Sequence, residues 1–253
     1  MRPLKIISFD LFGDFASFTD PSITTNQTVY YIPSKSAVIG LLGALIGVER
    51  DYVRPEEWYS VPFCELLSET RIGLSLESYP LKFTYFSNNV SHKTAKKKPF
   101  KREVLLKPKY KLYIKTSEVY REQIMQALDT RHFAYSPCLG HAYCHARIEN
   151  YKEVDASELD DPVDRKTSSV ILDESESYNP DFRFNVEPTT GDSRIIVERH
   201  LHHFVEENES CLLLKRALKH WIPIENSEFK IIEDSDRDLS EFIETEEKVV
   251  CLF

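Results

Sequence analysis

Apolar residues recur at near-alternate positions over 3–12 (Leu4, Ile6, Phe9, Leu11, Phe12), which predicts an opening strand. A polar loop follows from Thr19 to Thr28, and Val29–Ile32 is expected to be extended because Pro33 disfavours helix before it. Ser34 or Ser36 can then cap a helix over about Ala37 to Gly47. Asp51 to Leu67 reads as a loop-and-helix insert, and Thr70–Leu76 and Leu81–Phe86 have strand composition. Ser87 to Arg102 is polar and basic without an apolar period. Val104 to Ile114 alternates again, with Leu106, Tyr110, Leu112 and Ile114 against Lys107, Lys109, Lys111 and Tyr113. A basic tip between two strands predicts a long protruding hairpin. Ser117 caps a second helix to about Arg131, whose Val119, Tyr120, Ile124, Ala127 and Leu128 form one apolar face. Phe133 to Gly140 reads as a turn and Ala142 to Val154 as extended. Beyond an acidic, turn-rich stretch over 155–193, Arg194–Val205 reads as a strand and Glu206–Trp221 as a helix.

The order strand, helix, strands, helix, strand defines an α+β protein with a ferredoxin-like or RRM-like βαββαβ plan. Residues 1–154 would form that domain, with a hairpin thumb inserted at about 87–111. Residues 155–253 would form an acidic, mostly β region packed on it.

Charge changes the picture. The formal net charge is −9, which alone argues against a nucleic-acid partner. Its distribution argues otherwise: residues 1–148 carry 20 Lys+Arg against 14 Asp+Glu, and residues 149–253 carry 12 against 27. Nine basic residues and one acidic residue, Glu103, fall between Lys93 and Lys111. His92, Lys93, Lys96, Lys97, Lys98, Lys101, Arg102, Lys107 and Lys109 lie among Phe100, Tyr110 and Tyr113. Phosphates need cations, and splayed bases need flat faces to stack on, so this stretch is the candidate RNA contact. A solvated charged loop is the plain alternative.

The first helix is unusual. Glycine is scarce, seven in the chain, yet Gly40, Gly43 and Gly47 share a helical face, each at a cost of roughly 1 kcal/mol against alanine. Close approach of another backbone, from the protein's own sheet or from a ligand, would offset that cost. Ser34, Lys35 and Ser36 at its start offer hydroxyls, a cation and free N–H groups, a small anion site. No GxxxxGK[ST] or GxGxxG is present, so a nucleotide-binding loop is not supported, and no cofactor is expected. His200, His202 and His203 lack a third ligand at a suitable interval, so a metal site is not expected either. Five cysteines without a CxxC pair suggest reduced thiols, and the longest apolar run, Ala37 to Val48, is too short to span a bilayer. The chain is expected to be soluble and cytoplasmic, with no membrane partner.

Three segments resemble a known family: Phe9 to Phe18 with its Gly-Asp-Phe-Ala-Ser-Phe turn, Tyr31 to Gly47 with Gly-Leu-Leu-Gly-Ala-Leu-Ile-Gly, and Ser136 to Ala146. Together they are similar to the fifth Cas family of the CRISPR effector complexes, of the RAMP superfamily, in a type I-B-like form. The resemblance covers about residues 1–150. It implies a non-catalytic subunit of a Cascade-like antiviral complex that binds the 5′ handle of crRNA. That subunit would cap a filament of backbone subunits, contact the large subunit, and lie near the entry of target DNA. The alternative it implies is a metal-independent endoribonuclease that processes precursor crRNA, as in type I-C.

Overall fold

The computed structural model describes residues 4–21, 23, 27–49, 61–90, 97–159, 161–173, 186–189, 194–205, 213–225, 227–231 and 241–253. The first half runs β1 (Leu4–Phe12), β2 (Phe15–Ala16), α1 (Lys35–Ile46), α2 (Val61–Glu69), β3 (Arg71–Ser78), β4 (Leu81–Val90), β5 (Lys97–Leu106), β6 (Lys109–Lys115) and α3 (Glu118–Thr130). The second is all strand: β7 (Arg147–Glu158), β8 (Lys166–Thr167), β9 (Ile171–Asp173), β10 (Val186–Pro188), β11 (Arg194–Val205), β12 (Leu213–Ile224), β13 (Phe229–Ile231), β14 (Glu241–Thr245) and β15 (Val249–Leu252). Mixed α and β with strands in the majority, and three helices among the described residues, matches the α+β class.

The central sheet has the order β10-β13-β8-β15-β14-β7-β1-β6-β3, and β15 also pairs with β3. That extra pairing closes six strands (β15, β14, β7, β1, β6, β3) into a barrel. Its seam is Leu252 opposite Gly73, extended by Phe253 and Ile72, whose N–H groups each donate to the other's carbonyl at 2.9 Å. Gly73 is required there, because a Cβ would lie 2.4 Å from Val250 Cγ1. Alternation along β1 sorts the two faces. Ile7, Phe9 and Leu11 face the main core with Val38, Ile39, Leu42 and Leu45 of α1, and Ile6 faces a smaller core with Tyr113, Val250 and Leu252.

The chain departs from its sequence-based plan at three places. The stretch 104–114 is two strands, broken at Lys107 (φ 48°) and Pro108, so β5 belongs to a separate sheet β2-β5-β4 while β6 lies in the barrel. The described part of 206–221 is strand, not helix: β12 pairs with β11 over its whole length, from Leu213 opposite Val205 to Ile224 opposite Arg194. Third, Cys64 is disulfide-bonded, so the thiols are not all reduced; Cys138, Cys144 and Cys251 are not in disulfides. Among the described residues no helix is long and apolar enough to cross a membrane.

Candidate nucleic-acid interface

Ser34 caps α1. Its hydroxyl accepts from the Ala37 N–H at 3.3 Å and lies 3.1 Å from the Ser36 hydroxyl. The helix ends at Gly47 in the left-handed conformation (φ 83°), whose N–H donates to the Gly43 carbonyl at 2.8 Å. The three glycines therefore do not form one close-packing face. Gly47 is the C-cap, Gly43 makes room for the carbonyl of Val48, 3.0 Å from an added Cβ, and Gly40 faces open space.

A cavity of about 480 Å³ lies along one side of α1. Its lining comes from all three segments that carry the family resemblance: Ser17 and Phe18 after β2, Ser34 to Ala44 on α1, and Cys138 with Gly140 in the turn before β7. The turn is pinned close. Gly140 (φ 91°) has no room for a side chain, since a Cβ would meet the Ser17 carbonyl oxygen at 2.1 Å, and the Ser17 N–H donates to Leu139 O at 2.9 Å.

The ribbon of β4 and β5 meets the turn that supplies Cys138 and Gly140 to this cavity. Ten residue pairs run from Leu81 opposite Leu106 to Val90 opposite Lys97. Only its base is buried, at Val104 and Leu105, while Leu81, Phe83 and Phe86 are 66%, 51% and 73% exposed. Backbone pairing with β2 and with Gln27 joins β5 to the body, and two side-chain contacts add to it. Tyr85 and Tyr143 share a hydroxyl–hydroxyl hydrogen bond of 3.1 Å, and Lys82 donates to the Val29 carbonyl with its ammonium 4.2 Å from the Tyr31 ring centre. Tyr143 stacks on His141 (5.1 Å), so the turn that walls the cavity also braces the ribbon. Burial, then the charge of Arg102, lowers the pKa of His141 below its ordinary 6.5.

The predicted contact residues divide accordingly. Lys97, Lys101, Lys107 and Lys109 are exposed and make no ion pair among the described residues; Lys111, by contrast, pairs with Asp10 at 3.1 Å. Asn150 donates to the same carboxylate at 2.7 Å; although burial pushes the other way, these two bonds hold Asp10 below its usual pKa. Arg102 lies over the Phe100 ring at 5.7 Å. His92, Lys93 and Lys96 lie outside the described residues, as does the side chain of Lys98. Ser34 and Ser36 line the cavity, whereas Lys35 is only half-exposed, and burial, then Arg71, lowers its pKa to about 8.

His200 is fully buried: it stacks on Tyr30 (4.0 Å), packs against His220 (4.6 Å) and meets Glu198 at 3.2 Å. Glu198 also accepts the Tyr31 N–H at 2.8 Å, tying β11 to the entry of α1. The side chains of His202 and His203 lie outside the described residues, among which no three His, Cys, Asp or Glu side chains gather as metal ligands. Sequence reasoning missed Thr19, Pro21 and Tyr30 in the cavity wall, and Tyr85 and Tyr143 at the ribbon brace. The density of tyrosine and phenylalanine over 79–86 was the available signal for Tyr85.

An α+β barrel carrying a basic, aromatic ribbon beside a capped helix start is the class of molecule that emerges. Residues 6–63 match the family model described as CRISPR-associated protein (Cas_Cas5), which places the likeness on β1, β2, α1 and the segment that follows. The fold is shared with a CRISPR protein from Archaeoglobus fulgidus, 11% identical over 98% of each chain at a TM-score of 0.50. It is shared equally with a chain of a CRISPR RNA-guided surveillance complex, 14% identical over 91% of this chain and 95% of that one, TM-score 0.50. A third structure, of a Cas protein, is 20% identical but spans 55% of this chain and 59% of that chain at a TM-score of 0.38. No curated protein matches the chain.

Proposed function

We propose that the chain is the non-catalytic subunit of a type I-B-like CRISPR effector complex that grips the 5′ handle of crRNA. In that role it caps the filament of backbone subunits and contacts the large subunit near the entry of target DNA. The observation that carries this reading is the ribbon and its base: Lys97 and Lys101 on β5, with Lys107 and Lys109 just beyond it, are exposed and make no ion pair among the described residues, and they lie near exposed rings on a body whose other half is strongly acidic. Cations there follow phosphates and rings receive bases, while the acidic remainder repels a misplaced strand. The order β7-β1-β6-β3, antiparallel throughout, supports the finer fold reading, a ferredoxin-like βαββαβ core with the β4–β5 ribbon as its inserted thumb.

Salt titration tests it. Each phosphate neutralised on a single strand contributes about 0.7 to the fall of log K with log salt. Replacing Lys97, Lys101 and Lys107 by alanine together should lower that slope by roughly 2 on handle RNA. An unchanged slope would remove the ribbon from the interface.

A second reading has its own observation. His141, whose pKa burial and then Arg102 lower and whose ring stacks on Tyr143 at the ribbon brace, supports a reading in which it serves as general base. Metal-independent cleavage of precursor RNA would then persist in EDTA and vanish in His141→Ala. Intact RNA after prolonged incubation with excess wild-type protein would discard it.

A further inference from the structure

Five of the six described glycines have a local reason to lack a side chain. Gly47 and Gly140 are left-handed; added Cβ atoms at Gly13 and Gly73 would lie 2.6 Å from His145 O and 2.4 Å from Val250 Cγ1; and Gly43 leaves 3.0 Å to Val48 O. Gly40 has none. It sits mid-helix, where glycine costs stability against alanine, and an added Cβ would meet nothing within 4 Å. The space it leaves open is the cavity, of which it is a wall.

We propose that this cavity holds one unstacked nucleobase of the bound RNA and that Gly40 is kept bare to admit it; the inference rests on the RNA-binding reading above. At about 480 Å³ the cavity falls within the size range of ligand sites. Its surfaces suit a base. Phe18, Pro21 and Leu41 offer apolar contact, and Ser36 and Thr19 bring hydroxyls that both donate and accept, so they can satisfy the polar edge of any base. Recognition of single-stranded RNA works by splaying bases into such sites. The route is continuous: the ribbon tracks the backbone, Tyr85 on it is bonded to Tyr143, and the same turn supplies Cys138 and Gly140 to the cavity wall. A strand bound along the ribbon is thus carried to the turn that forms one wall of the cavity.

The full-length chain is mixed with handle RNA carrying 2-aminopurine at one position at a time, and the emission is challenged with acrylamide. In the wild type one position is shielded from the quencher. Gly40→Phe fills the cavity, exposes that position and weakens binding about ten-fold, the value of one lost stacked base. Gly40→Ala keeps both the shielding and the affinity and melts at a higher temperature than the wild type. If no position is shielded in the wild type, the inference is overturned whatever the variants do. It is equally overturned if Gly40→Phe leaves the shielding and the affinity intact while the lysine substitutions still weaken binding; then the ribbon reading survives without the pocket. A wild type with no affinity for RNA removes both.

Discussion

At the scale of single residues, Lys35 changes its protonation within an accessible pH range. Its pKa of about 8, set by burial and secondarily by Arg71, makes it roughly nine-tenths charged at pH 7 and roughly one-tenth charged at pH 9. A phosphate at the start of α1 would favour the charged form, so the contribution to RNA affinity is present below pH 8 and lost as pH rises through it. Affinity for handle RNA is expected to fall several-fold between pH 7 and 9 in the wild type and to stay level in Lys35→Arg; a level wild-type profile would mean that no phosphate sits there. The free protein behaves oppositely. Its folded pKa lies below the ordinary 10.5, so the penalty is complete below pH 8 and is relieved between about 8 and 10.5, where the free chain gains stability. Ser34 was legible in the sequence because capping is a local bond between residues three apart. The burial of Lys35 was not, since it depends on what tertiary packing brings around the helix start.

The elements show the same division between local and distant causes. α1 was readable from its Ser34 cap and α3 from its apolar positions, and both end within one residue of the expected place, although Ser117 stands before α3 without the side-chain cap bond expected of it. β12 was misread as a helix because a chain of Leu, Lys, Arg and Ala favours helix locally, while twelve paired positions along β11 decide otherwise. The β4–β5 ribbon was legible as a hairpin but not in its limits, because the break at Lys107 depends on a positive φ that no glycine announced. The turn before β7 was read only as a turn; its tertiary role hangs on Gly140. Gly140→Ala forces a Cβ toward the Ser17 carbonyl in a left-handed backbone, and should lower stability by roughly 1–3 kcal/mol in urea unfolding. Because the same turn braces the ribbon through Tyr143, handle affinity should fall with it. An unfolding midpoint equal to the wild type would show that the close approach relaxes freely.

At the scale of the whole molecule, the division of the sequence into a core at 1–154 and an acidic region at 155–253 does not match how the barrel is built. β14 lies between β7 and β15, and β15 closes on β3, so the acidic region supplies two of the six barrel strands. Ile6 and Tyr113 are buried largely because Ile243, Val250 and Leu252 cover them, and Phe253 completes the main core at 2% exposure. No local pattern could disclose this, because a seam is a meeting of distant edges whose only sequence mark is a bare Gly73. Burying a large apolar side chain stabilises by about 1.5–3 kcal/mol, and several would be uncovered at once without β14 and β15. A chain ended at residue 154 is therefore expected to show no cooperative thermal transition, although it retains both long helices and the whole ribbon. Within the full chain, Phe253→Ala should cost about 3–5 kcal/mol and leave one unfolding transition by both circular dichroism and tyrosine fluorescence. A separately melting 1–154 fragment, or two transitions in the full chain, would mean that the acidic region merely rests on a finished core. A single transition makes the face that carries the ribbon and the acidic body one folding unit, in which the ribbon can lean out because the barrel behind it is closed.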